Sequence, residues 1–444
     1  MARTSRTGSP LGDAMARLSP QQWYGVAAVL AAVLVGLTVW DLYRDDPPPE
    51  DADILVEPST IGPPETNGLI MAAKLMEEID RAGDLEQLSD LIDFVDDPAD
   101  TDWDEVALEL EPLHGHFDRI DEVIAAPHFT DLRLQSREDI SGLSAALRLS
   151  NLLAYRMGSA RAQGHSQQVW IDSMRCVRLG DRLIGKNLAI VAQLIGQANQ
   201  AIGLGEVRES VVDLAPDAAT ARLRNDELKR YEPVAQDLKD SLLFEYYLAK
   251  RYVTPQFIED TRRDYGMLAP ILFKPNRTMR VLGGQIKAMF AQLGRPTTQF
   301  TPPPDPPASG IVNHYGNYFF ACPFYTAEDH NHCRAQFAFT RVGLALAGYA
   351  NERDGELPAS LEELVPAYID AIPVDPVDGQ PLRYDRERRR TWSIGPDAKD
   401  QDGLSYAEWE EAGLPGPPGG QSYDIVMKIP MPPDYRETPP PAVD

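Results

Sequence analysis

Apolar side chains follow three rhythms along this chain, and each predicts a different element. From Trp23 to Trp40 they run without a single charge. A helix of that length rises about 27 Å at about 1.5 Å per residue, close to the apolar thickness of a bilayer. Trp23 and Tyr24 before it, and Trp40 and Tyr43 after it, stand where the two interfacial aromatic belts would lie. This predicts a retained transmembrane helix over 23–43 and not a cleaved signal peptide.

Over 67–293 the period lengthens to three and four. Leu88, Leu91, Ile92 and Val95 form one helical face, and Leu110, Leu113, Phe117, Ile120 and Ile124 form another. Further helices are expected at 139–163, 166–184, 187–212, 217–231, 234–252 and 280–293, with Ser136 and Asp217 as start signals. Small residues on one stripe, such as Ala145, Ala146, Ala154 and Ala160, would let helix pairs stack as an irregular helical array, without a clean repeat period.

The third rhythm begins near Phe337. Val342, Leu346 and Tyr349 mark a helix, with Ala345 and Ala350 permitting close packing, and the helix should end at Asp354-Gly355. Ser360 and Glu363 form a capping-box pattern for a short second helix that Pro366 stops. Asp378-Gly379 marks a turn. Leu382–Asp385 and Thr391–Ile394 alternate apolar and polar residues on either side of RERRR, which predicts an antiparallel hairpin, and Asp424–Pro430 supplies a third strand. The fold class expected is therefore mainly α, with a small C-terminal α+β module.

Proline clusters separate these regions. They define a tail at 1–22, an acidic linker at 44–66 that should not fold, a second linker at 294–310, a C-terminal module at 311–430 and a disordered tail at 431–444. Arg3, Arg6 and Arg17 precede the apolar run, whereas Asp41, Asp45 and Asp46 follow it. This predicts a cytoplasmic N-terminus and an extracytoplasmic bulk, periplasmic if the membrane is the inner membrane of a Gram-negative cell. The 68 acidic against 42 basic residues give a formal charge of −26, which argues against a nucleic-acid or anionic-lipid surface. With 444 residues and 43% apolar content, the chain can bury a sizeable core.

Candidate chemistry is sparse. GDRLIGKN, residues 180–187, nearly matches a phosphate-binding loop, but Asn187 replaces the hydroxyl that holds magnesium and no strand precedes it; a glycine connection between helices is the plain reading. Cys322, His330, His332 and Cys333 suggest three alternatives: a Cys322–Cys333 disulfide with Cys176 a buried thiol, unpaired packing cysteines, or a zinc site. His114 and His116 diverge on a helix. RERRR at 386–390 is either a docking patch for an acidic partner or a charged turn. The common hydrolase signatures are absent. Asp397, Asp400 and Asp402 lie close together, and flexible carboxylate loops of this kind suit calcium; a surface acidic turn is the alternative. Ser405 and Glu408 would be late ligands of an EF-hand, but that register would make Ala398 the first ligand.

The C-terminal order of elements resembles the globular domain of the major pseudopilins of type II secretion systems. The matching positions are Gly355, Pro358, Ser360, Leu361, Leu364, Pro373, Asp375, Pro376, Gly379, Pro381, Tyr384, Gly395, Asp397, Asp424 and Ile425. The resemblance implies an α+β module and a structural calcium held by Asp397, with Asp400, Asp402 and Asp424 as further ligands. The apolar run of a pseudopilin joins its module directly and carries a cleavage motif and a glutamate; here the run stands far upstream and carries neither. In overall organisation the chain is similar to uncharacterised membrane-anchored exported proteins of planctomycete-type bacteria. Three functions follow as expectations: a structural or partner-binding envelope protein, a component of a type II secretion or pilus-like assembly, or an unrecognised periplasmic hydrolase.

Overall fold

The computed structural model describes residues 20–56, 62–83, 101–131, 140–185, 188–253, 255–301, 313, 323–395, 398–404, 408 and 424–429. The helical face expected at Leu88–Val95 and the tails 1–19 and 431–444 lie outside them. The protein is mainly helical, with a small sheet near its C-terminus. It divides into two compact units, one of Met1–Glu50, Tyr252–Leu282 and Asp305–Ala321, the other of Asp51–Arg251, Gly283–Pro304 and Cys322–Asp444.

The longer helices are α1 (Pro20–Tyr43), α2 (Gly68–Ala82), α3 (Trp103–Leu110), α4 (Arg119–Ile124), α5 (Ser141–Ala162), α6 (Ser166–Arg182), α7 (Ile190–Glu209), α8 (Ala218–Lys229), α9 (Ala235–Tyr252), α10 (Pro255–Tyr265), α11 (Pro275–Phe290) and α12 (Pro323–Asn351). Thus α5 to α9 stand where periodicity placed them, with ends moved by a few residues. Asp217 caps α8, its carboxylate accepting from the Thr220 N–H at 2.7 Å. Strands β1 (Arg383–Asp385), β2 (Arg390–Ser393) and β3 (Ile425–Lys428) pair antiparallel in the order β1-β2-β3, with Tyr384 opposite Thr391 and Trp392 opposite Val426.

Two helices begin earlier than expected, and each has a physical cause. For α11 the start is Pro275, a favoured first helical residue. Its next two N–H groups, of Asn276 and Arg277, donate to the Asp45 carboxylate at 2.9 and 3.2 Å. That cap comes from a distant part of the chain, so no local signal announces it. For α12, the first half buries His330, Asn331 and Cys333 in place of an apolar stripe, so periodicity is silent until Phe337.

In the larger unit α6 is apolar on two faces. Cys176 and Leu179 join a cluster with Leu69, Leu75, Leu110, Phe117, Ile120, Leu149 and Leu153 from α2 to α5 and the turn Glu111–Phe117. Trp170, Met174 and Val177 join the other cluster, with Leu204, Leu228, Phe337, Val342, Leu346, Leu364 and Met427. A helix apolar on both sides belongs in an interior. The regions 67–293 and 311–430, read from sequence as separate domains, therefore share one core, and each fully buried large side chain in it stabilises by about 1.5–3 kcal/mol. The α6–α7 approach depends on Gly180 and Gly196. A Cβ on Gly180 would lie 2.4 Å from the Gly196 carbonyl oxygen, so no larger residue fits without moving a helix.

The start of the stretch read as a spacer is also packed. Within the larger unit, Asp51 accepts from the Tyr246 hydroxyl at 2.7 Å and Lys250 Nζ at 2.6 Å, and Ile54 is buried.

Candidate functional site

The C-terminal sheet carries the densest set of charged groups predicted from sequence. Its foundation is Asp375, which is fully buried between the turn at Asp378-Gly379 and β2. The Asp375 carboxylate accepts from the Val377 N–H at 2.9 Å, Ser393 Oγ at 2.8 Å, the Ile394 N–H at 3.1 Å and Arg383 Nη1 at 3.0 Å. Burial still holds its pKa above the usual carboxylate value, against the pull of those donors. Arg383 also pairs with Asp378 and, at 3.4 Å, with Asp400. This fork fastens the proline-rich turn to the sheet.

The acidic loop folds against that base. Asp400 Oδ1 accepts from Trp392 Nε1 at 3.0 Å and from the Asp402 N–H at 2.9 Å. Asp424, at the start of β3, accepts through Oδ2 from the N–H groups of Gln401 at 3.0 Å and Gly403 at 2.8 Å. Asp402 takes φ 60°, and its side chain, 83% exposed, pairs with Arg388 at 3.3 Å. Asp397 lies outside the described residues. The structure thus brings Asp400, Asp402 and Asp424 to one loop but turns them to different tasks. A set of carboxylates suits a hard cation. Among the described residues, however, no three His, Cys, Asp or Glu side chains converge as ligands, because Asp400 and Asp424 serve N–H donors.

The basic turn between β1 and β2 serves this loop. Arg388 Nη1 donates to the Asp402 carbonyl at 2.8 Å, and Arg390 Nη1 to the Gly403 carbonyl at 2.6 Å. Arg390 also makes a two-pronged pair with Glu408, both contacts at 3.1 Å. Arg389 donates to the carbonyls of Gly355 and Ile429, and burial lowers its pKa. Three of the RERRR guanidiniums are therefore committed inside the molecule. Glu408, named from sequence only as a late EF-hand ligand, is the acidic partner of Arg390 and Lys428.

Two buried polar groupings are not expected from sequence, although Gln168, Asp172 and Arg175 stand at i,i+4 and i,i+3 on one helix. In the first, fully buried Asp172 on α6 accepts from Arg156 Nε at 2.7 Å, Arg175 Nη1 at 3.0 Å and Gln168 Nε2 at 2.8 Å. Arg175 in turn reaches Asp121 at 2.7 Å and Asp118 at 3.0 Å. Burial works to lower the Arg175 pKa, but these carboxylates outweigh it and raise the value. In the second, α7 and α12 run parallel, with Cys333 Sγ donating to Gln200 Oε1 at 3.4 Å and Arg208 Nη1 to Thr340 Oγ1 at 3.2 Å. Both ring nitrogens of His330 and both amide atoms of Gln193 lack a hydrogen-bond partner among the described residues. Burial, with Arg334 nearby, pushes the His330 pKa down to about 3.

Of the cysteine alternatives, Cys333 is a free thiol buried in the shared core and Cys176 is free and buried in the other; Cys322 lies outside the described residues. Lys186 and Asn187 of the phosphate-loop near-match lie outside them too, and Gly185, at φ 105°, makes a turn after α6.

Compared with known proteins, the chain matches no family model, no curated protein and no solved structure.

Proposed function

We propose that this chain is a single-pass, membrane-anchored envelope protein, its bulk extracytoplasmic, acting as a structural or partner-binding component. The observation that carries the reading is the surface of α1. Every residue from Ala28 to Asp41 is exposed, including Val29 at 63%, Leu34 at 64%, Val35 at 63% and Trp40 at 67%, so apolar side chains point out on all sides. A helix apolar all round needs an apolar surrounding, at about 25 cal/mol for each Å² kept from water. The side chains of residues 20–27 are outside the described set, and among the described residues no helix is long and apolar enough to cross a membrane; the full run from Trp23 supplies the missing length. A structural role is supported by the use of Asp172, Asp375, Arg383 and Arg390 in internal pairs. The test is alkaline carbonate extraction with protease treatment of spheroplasts. The chain should stay with the membrane while its body is digested, and Val33→Lys with Leu34→Lys should release it. Extraction of the unaltered chain by carbonate would refute the anchor.

A second reading, membership of a secretion or pilus-like assembly with a calcium-stabilised module, is supported by the order of α12, β1, β2, an aspartate-bearing loop and β3. Because α12 shares its core with α6 to α8, the material to test is the full chain in detergent micelles, not an isolated C-terminal fragment. Calcium should give binding heat and a higher Tm that Asp397→Ala with Asp402→Ala abolishes. Heat-free mixing and an unchanged Tm would leave the loop as a hydrogen-bonded turn.

A further inference from the structure

We propose that the turn Tyr265–Leu268 is a membrane wedge that dips into the boundary between headgroups and acyl chains of the bilayer that α1 crosses. This rests on the anchor reading above. Met267 is 82% exposed, the highest value among the large apolar side chains described, with Leu268 at 55% and Tyr265 at 41% beside it. The turn is built to present them. Gly266 takes φ 54°, a conformation glycine adopts without strain, and a Cβ there would meet nothing within 4 Å. Behind the turn, the rings of Phe257 and Phe273 meet edge to face with centroids 5.0 Å apart, clamping its two stems.

The hydrogen bonds of this unit place the turn along the anchor. Arg280 Nη2 donates to the Pro47 carbonyl at 2.8 Å, and Asn276 Nδ2 to the Asp46 carbonyl at 2.9 Å. Lys274 Nζ donates to the Arg44 carbonyl at 2.5 Å and the Asp41 carbonyl at 3.2 Å, capping the last turn of α1. The short helix Ala269–Leu272 then packs against α1 itself. Reading backwards from Arg280, the contacts climb α1 toward its apolar run, and Leu268 and Met267 come next. In the proposed arrangement they lie at the level of Trp40 and Tyr43, the aromatic residues at the end of that run.

The wedge is apolar in character. Arg262 and Arg263 on α10 are exposed but pair with Glu259, Asp260 and Asp264, so they leave no excess positive charge to seek anionic lipid. Insertion of Met, Leu and an interfacial Tyr by about 5–10 Å should proceed on zwitterionic lipid alone.

The experiment uses the full chain carrying Cys322→Ser, reconstituted in phosphatidylcholine nanodiscs. Cys176 and Cys333 are buried, and burial pushes the Cys333 thiol up to about 12, so neither competes for a thiol-reactive label. A polarity-sensitive fluorophore is placed at Met267→Cys, at Leu34→Cys in the anchor and at Glu259→Cys on the exposed face of α10. The Met267 label should be blue-shifted and quenched by shallow doxyl lipid, the Leu34 label quenched by deep doxyl lipid, and the Glu259 label aqueous. A quenched Leu34 label with an aqueous Met267 label overturns the wedge and leaves the anchor standing. An unquenched Leu34 label overturns the anchor and the wedge with it. A blue-shifted Met267 label that no doxyl lipid quenches means that protein, a second copy or a partner, covers the turn, and this also overturns the wedge.

Discussion

Asp375 under the C-terminal sheet and Gln193 in α7 are both fully buried, yet the first accepts four hydrogen bonds and the second finds no partner among the described residues. The sheet resembles the Asp172 network, where buried Asp172 has donors aimed at it and buried Arg175 has carboxylates. The helices α7 and α12 are the opposite case, since Gln193, Asn199 and His330 are buried there with side-chain atoms that find no hydrogen-bond partner among the described residues. A satisfied buried charge is costly to disturb because its partners remain behind, whereas an unsatisfied amide is costly to keep. The two regions should therefore answer substitution with opposite signs.

Truncating the satisfied charges should have the largest effect. Asp172→Ala leaves Arg156 and Arg175 without their common carboxylate, and Asp375→Ala removes the acceptor of the Val377, Ser393 and Ile394 donors and one of the three carboxylates of Arg383. Each should lower stability by about 3–5 kcal/mol in denaturant unfolding. A loss below about 1 kcal/mol for either would mean that water replaces the carboxylate and that the regions differ less than their geometry suggests.

The next effect is a pH dependence. The His330 pKa lies near 3 in the folded chain against about 6.5 in the unfolded one, so the unfolded state binds the extra proton. Its contribution is intact above about pH 6.5 and is lost as pH falls below that, by about 2 kcal/mol at pH 5. Asp181 acts in the reverse sense: burial and Asp237 push it up to about 6, so its share of stability grows as pH falls through that value. The decisive quantity is thus the difference between the unaltered chain and His330→Leu, whose stability should decline less from pH 7 to pH 5. Parallel profiles would show that His330 is solvated after all.

A gain is expected at Gln193. Gln193→Met keeps the length and removes both unanswered amide atoms, and should raise stability by about 1 kcal/mol; a loss would reveal a water or ligand bonded there. The smallest effect is expected at Ser360, whose side chain makes no cap bond to the turn after it, so Ser360→Ala should shift stability by less than about 0.5 kcal/mol.

Ser360 also shows how far the sequence could be read. The Ser360–Glu363 pattern located the turn correctly, but Glu363 reaches the Ala359 N–H and the Tyr349 hydroxyl instead of completing a box. What depends on neighbours in sequence was legible: the Asp217 cap, the periodic faces of α5 to α9, the β1–β2 hairpin and the third strand. What depends on distant partners was not. The Asp45 cap on α11, the links from Arg156 to Asp172 and from Arg175 to Asp121, and the commitment of Arg388 and Arg390 to the acidic loop each join residues that no local pattern links. The aspartates of the loop were legible as a cluster. Their division between a tryptophan, an arginine and backbone amides was not, because side-chain direction follows from the fold and not from spacing.

The core shared by α6, α7, α8, α12 and β3 also sets a timetable. Arg208 meets Thr340 across 132 residues of chain, and Asn225 meets Tyr368 across 143. A growing polypeptide emerges from its N-terminus, so α6 and α7 leave the ribosome with Trp170, Met174, Leu204 and Val207 uncovered until α12 and β3 follow. The other cluster, closed by α2 to α7, has its partners nearer in sequence and can assemble first. The nascent chain thus passes through a half-finished stage with one sealed core and one open face, and that interval is when a chaperone would have something to hold.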